Sequence, residues 1–175
     1  VLARYHGLIE LSHQREQPIT LDQIEAVGQD FDLFKGVEGM FDQVEGWANE
    51  FDLDVEVEFY MLTAGMAEIP KSTPIADRFD QIWAGACAFN DKNELTFVKR
   101  IITHPEKTRY LIQLAKGFHH EGNPQPAEIH EQIPQEEYYI PYDQMIYVGD
   151  GASDMPAFEF IEEKGLTLEE TSTNP

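Results

Sequence analysis

Apolar and polar positions alternate along this chain with two periods, and the switches between them mark out its elements. Residues 1–16 place Leu2, Tyr5, Leu8 and Ile9 at helical spacing, and Pro18 interrupts them. Thr20 precedes Leu21-Asp-Gln-Ile-Glu-Ala-Val27, with Gln23 three places on, the pattern of a capping box at a helix start. Phe34-Lys-Gly36-Val37-Glu-Gly39 reads as a turn. Met40 to Phe51 reads as an amphipathic helix with Met40, Phe41, Val44, Trp47 and Ala48 on its apolar face. The period drops to two at Val55, Val57 and Phe59. That predicts a strand over 54–62, ending at Thr63-Ala64-Gly65.

A short helical turn is predicted over 66–69, and Ser72-Thr73-Pro74 opens another, running to about Phe79. Gln81 to Phe89 is strand-like, Asn90-Asp-Lys-Asn93 a turn, and Leu95 to Val98 a returning strand, so a small β-hairpin is expected. Thr103-His104-Pro105 starts a helix to about Lys116, with Tyr110, Leu111, Leu114 and Ala115 inward and Gly117 at its end. Residues 118–143 are rich in Pro, Glu, Gln and His and read as a long irregular surface connection. Met145 to Val148 is apolar throughout and predicts a buried central strand. A helix follows from about Asp154 to Glu163, with Ser153 as its cap and Pro156 in its first turn. Residues 166–175 read as a disordered tail.

The chemistry concentrates where that last strand meets that last helix. Gly149 and Gly151 let the chain turn sharply in Gly149-Asp150-Gly151-Ala152-Ser153-Asp154. Asp150 then stands at the strand tip and Asp154 at the helix start, where open α/β sheets place their ligands. Two carboxylates there make a hard oxygen site suited to Mg²⁺. The plain alternative is a turn aspartate and a helix cap.

This hexapeptide resembles the last signature motif of haloacid-dehalogenase-like (HAD) phosphatases. Glu58-Phe-Tyr-Met-Leu-Thr63-Ala-Gly65 resembles the second motif, an apolar strand ending in Ser or Thr. Lys107, in His104-Pro-Glu-Lys-Thr-Arg-Tyr-Leu111, resembles the third, a lysine opening a helix. The resemblance spans roughly residues 30–165 and is closest to the phosphoserine-phosphatase-like branch. It implies an α/β fold: an incomplete HAD-like Rossmannoid core with a parallel sheet over 35–165, and a remnant of a helical cap over 1–34. It also implies phosphoryl transfer through an aspartyl phosphate. Asp150 would then be a Mg²⁺ ligand, and Asp154 would support the metal through water or from the outer shell. Thr63 would donate to a phosphoryl oxygen, with the backbone of Ala64 and Gly65 helping to bind phosphate. Lys107 would pair with the nucleophile and the phosphate. The substrate class implied is a small phosphorylated metabolite.

HAD enzymes begin with a strand carrying Asp-x-Asp, whose first aspartate is the nucleophile. Asp30-Phe31-Asp32 has that spacing but follows residues that read as helical, and Asp52-Leu53-Asp54 precedes an apolar strand instead of following one. The expectation is therefore a fragment that starts after the first motif and stops before a further strand, inactive by itself. Two other readings stay open. One is a non-catalytic HAD-like binding protein. The other is a different HAD chemistry, such as dehalogenase, phosphonatase or phosphomutase.

Charge narrows the partners. Asp and Glu number 33 against 12 Lys and Arg, a formal charge of −21, which repels nucleic acid and anionic membrane surfaces. A phosphate ester would need local positive charge to approach. Cys87 is the only cysteine, so no internal disulfide forms, and a cytoplasmic location is expected. Its small apolar neighbours predict a buried, inert thiol. His119, His120 and His130 lack the paired spacing of a zinc site. Arg109, Lys99 and Arg100 read as solvated charges.

Overall fold

A computed structural model describes residues 1–15, 17–50, 55–118 and 129–164. The chain divides into two compact units, Val1–Ile102 and Thr103–Pro175.

The first unit contains α1 (Leu2–Gln14), α2 (Leu21–Gln29), α3 (Val37–Glu50), β1 (Tyr60–Met66), α4 (Glu68–Lys71), a 3₁₀ turn at Ala76–Arg78, β2 (Gln81–Phe89) and β3 (Leu95–Arg100). Its three-stranded sheet has the order β1-β2-β3. β1 and β2 are parallel, with Tyr60 opposite Gln81 and Leu62 opposite Trp83. β2 and β3 form the expected antiparallel hairpin, with Cys87 opposite Val98. α1 packs on β3, and α2 on α4. Tyr5, Ile24, Met66, Cys87 and Leu95 form the core between them, flanked by Leu8, Ile9, Ile19 and Val98.

The capping box reads true. Thr20 Oγ1 accepts from Gln23 N–H at 3.4 Å, and Gln23 Oε1 accepts from Thr20 N–H at 3.2 Å. Thr20→Ala is expected to cost about 1 kcal/mol, the usual worth of an N-cap. Urea unfolding followed by tryptophan emission checks it, because Trp47 and Trp83 both lie in this unit.

The second unit contains α5 (Glu106–Ala115), 3₁₀ turns at Gln135–Glu137 and Tyr142–Gln144, and α6 (Met155–Lys164). α5 packs against α6. Tyr110, Leu111, Leu114 and Ala115 are buried as expected, and Gly117 follows the helix at φ +77°. Tyr142 is buried with edge-on contacts to Tyr138 and Phe160.

Several expectations need correction. The sheet is mixed, not parallel: one pair of strands is parallel and the other antiparallel. Met145–Val148 is not a central strand. It pairs with no strand among the described residues, and Ile146 and Val148 are 74% and 86% exposed. An apolar run has strand character, but a strand needs a hydrogen-bonded neighbour to hold it.

β1 starts at Tyr60 instead of residue 54, and it continues through Thr63 instead of stopping there. The start is set by pairing: Asp80 Oδ2 accepts from Phe59 N–H at 2.7 Å, and Asp80 N–H donates to Phe59 O at 2.8 Å, just before the Tyr60–Gln81 pair. The helix expected over 72–79 is only a 3₁₀ turn. The apolar face of α3 is narrower than the pattern implies. Phe41 is fully buried, while Met40 and Trp47 are exposed. The expected tail at 166–175 lies outside the described residues.

Candidate functional site

Lys107 and Asp154, drawn from separate motifs 47 positions apart, meet in a buried ion pair of 2.6 Å. Their side chains are 6% and 5% exposed. Lys107 sits in the first turn of α5, as its motif predicted. Asp154 stands immediately before α6, and its carbonyl accepts from Ala157 and Phe158 N–H, each at 2.9 Å. Desolvating two charges is costly, so such a pair persists only where geometry and further hydrogen bonds compensate.

Those hydrogen bonds are present. Asp154 Oδ1 accepts from Lys107 Nζ and also from Tyr147 Oη at 2.5 Å, while Oδ2 accepts from Ser153 Oγ at 3.0 Å. Burial alone would raise the Asp154 pKa, but the bonds from Lys107, Tyr147 and Ser153, with the Lys107 charge, outweigh it and hold the carboxyl below its ordinary value. Burial pushes the Tyr147 phenol well up, and the adjacent Asp154 and Asp150 charges push it further. It therefore stays protonated and donating.

The turn explains how the carboxylate reaches this place. A Cβ on Gly149 would lie 2.6 Å from Asp154 Cγ and 3.0 Å from Phe158 Cζ, so only glycine lets the backbone pass. Gly151 takes φ +154°, a backbone region that side chains disfavour. Asp150, between them, is exposed.

Ser153 does not cap α6 as expected. Its hydroxyl turns to its neighbour's carboxylate, and Asp154 holds the capping position. Tyr147 was missed: in the sequence it is one more apolar-strand residue, and nothing local signals its hydroxyl's partner.

Thr63, Ala64 and Gly65 belong to the first unit. The β1–β2 register shifts between Leu62 and Met66, so Thr63 lies in an irregularity of the kind often found beside functional sites. Its Oγ1 accepts from Gly65 N–H at 3.1 Å, which leaves the hydroxyl proton as a donor. Ala64 O accepts from Tyr5 Oη at 3.1 Å.

Asp30 closes α2, which supports the helical reading before Asp30-Phe31-Asp32. Asp52 and Asp54 lie outside the described residues, as do His119 and His120. Among the described residues no group of three or more His, Cys, Asp or Glu side chains is placed to hold a metal ion. Cys87 is buried as expected. Burial, with the Glu68 charge second, pushes its thiol to about 11, far from a reactive thiolate. No described helix is long and apolar enough to cross a membrane.

No family model and no solved structure matches the chain. It is similar to a Borreliella burgdorferi protein described as uncharacterized, at 26% identity over 152 residues. The match covers 77% of this chain and 50% of that protein, so the chain spans about half the length of this relative.

Proposed function

We propose that the chain is part of a HAD-like, Mg²⁺-dependent phosphatase acting on a small phosphorylated metabolite. The observation that carries this reading is the buried Lys107–Asp154 contact. Sequence resemblance singled out both residues from separate motifs, and a solvated lysine and a plain turn aspartate would have no reason to meet in the interior. The exposed Asp150, the residue directly after the glycine-only approach to Asp154 in the same turn, is the second support.

The donor set fits a hard dication. Mg²⁺ usually takes one or two carboxylates, keeps several waters and shares substrate phosphate oxygens. Asp150 offers the outward carboxylate. Asp154, with both oxygens committed, suits an outer position. When bound, Mg²⁺ would neutralise charge on the transferring phosphoryl group. Asp154 stays ionised and fixed, which adds negative charge where a cation is to be held. Lys107 offsets part of that charge, which a chain of −21 needs if an anionic ester is to approach. In this reading the nucleophile is expected outside these 175 residues: Asp30-Phe31-Asp32 closes a helix instead of tipping a strand, and Asp52-Leu53-Asp54 precedes an apolar run instead of following one.

Phosphate release from para-nitrophenyl phosphate with Mg²⁺ tests the reading. The protein with its flanking coding residues is expected to turn over. Asp150→Asn should lower the rate by at least the roughly 10–100-fold that even an outer-shell metal partner is worth. The 175 residues alone are expected to release none. Turnover untouched by Asp150→Asn overturns the metal reading. Turnover by the 175 residues alone, abolished by Asp150→Asn, overturns the placement of the nucleophile.

A further inference from the structure

Lys107 supplies charge to Asp154 but little direction, because an ammonium on a flexible stem is a rotatable point donor. Direction comes from a rigid donor. Tyr147 brings its hydroxyl to the same Oδ1 at 2.5 Å, and its ring is held edge-on against Phe158 of α6, with centroids 5.4 Å apart and planes at 85°. Phe158 N–H in turn bonds the Asp154 carbonyl at 2.9 Å. The ring, the helix start and the carboxylate therefore form one closed set. With Ser153 on Oδ2, the three donors take most of the lone-pair capacity of the carboxylate.

We propose that Tyr147 is a positioning residue for this carboxylate pair: its hydroxyl pins Asp154 toward Lys107 and leaves Asp150 as the direct ligand of a divalent cation. This deepens the metal reading above and rests on it. Outer-shell partners of a metal's ligands typically carry a roughly 10–100-fold share of its affinity; Asp154 is such a partner beside Asp150, and Tyr147 acts through it at the low end of that range.

Calorimetric titration of the full chain with MgCl₂ tests it without turnover. Tyr147→Phe keeps the ring and removes only the hydroxyl, and it is expected to weaken Mg²⁺ binding by roughly tenfold. In an Asp154→Asn background the same change is expected to do nothing more, because it acts through that carboxylate. Tyr142→Phe, at a buried tyrosine whose ring contacts are Tyr138 and Phe160, is expected to leave the affinity alone. A merely structural Tyr147 would not produce this dependence on Asp154. Should Tyr147→Phe fail to fold, Phe158→Leu loosens the ring without touching a polar group and is expected to weaken Mg²⁺ by a smaller factor. Affinity unchanged within about twofold in the variant that folds, or a loss that persists with Asp154→Asn, overturns the proposal. Wild-type binding that survives Asp150→Asn, or no binding at all, overturns the metal reading beneath it.

Discussion

Lys107→Met is expected to destabilise the second unit by about 3–5 kcal/mol, the usual result of removing one partner from a buried ion pair. Methionine keeps most of the stem's volume, so the loss reports the charge and not a cavity. Asp154 would remain 5% exposed with Tyr147 and Ser153 as donors but no cation. Asp154→Asn added to Lys107→Met is expected to recover much of the loss, because the buried charge goes with its partner. The readout must come from the right place. Both tryptophans lie in the first unit, so their emission would miss this change. Amide exchange in α5 and α6 sees it. A loss below about 1 kcal/mol would show that the pair is solvated.

Acid titration of the same variants adds an independent check. The Asp154 carboxyl is held below its ordinary value of 3.8: burial pushes it up, but the hydrogen bonds from Lys107, Tyr147 and Ser153 outweigh that. The folded state thus binds this proton more weakly than the unfolded state. The stabilisation is complete above the unfolded value and is lost as pH falls below it, through the folded value. Many other carboxylates also titrate there, so the informative quantity is the difference between variants. Lys107→Met is expected to flatten the acid limb relative to wild type.

What the sequence made legible was local. Thr20 and Gln23 lie three residues apart, and their capping box formed as read. The hairpin depended on a turn at 90–93 between two β-rich runs, and α5 on its own apolar face. The pairing of Lys107 with Asp154 is not local, and only the order of motifs placed both in one site. Where a feature depended on a distant partner and no motif pointed to it, the reading failed. Met145–Val148 carries strand residues but lacks a described ladder partner. The start of β1 was set by the contact of Phe59 with Asp80, twenty-one positions on, which no alternation of Val55 and Val57 could reveal. Tyr147 was invisible for the same reason: whether a tyrosine packs or donates depends on what stands opposite it. In α3 the period of 3.6 was right, but the width of the buried stripe depended on how much core lay beneath it.

Phe41→Ala is expected to cost the first unit about 3–5 kcal/mol, the range for emptying a buried phenylalanine site. The ring is completely buried. Phe59 meets it edge-on at 4.9 Å and Phe79 at 5.2 Å, so truncation removes two aromatic contacts along with the buried area. The Arg78 guanidinium lies 5.0 Å over the same ring while Asp42 holds it at 2.6 Å. The ring therefore ties α3 both to the approach to β1 and to the 3₁₀ turn before β2. Phe41→Leu should retain part of this, because it refills volume without restoring the aromatic edges. Met40→Ala, at the exposed neighbour, is expected to change stability by no more than about 0.5 kcal/mol. Urea melts followed by the emission of Trp47, on the same helix, separate the three variants. If Phe41→Ala and Met40→Ala proved equal, α3 would not be anchored by this ring, and the face assigned to it would be the wrong one.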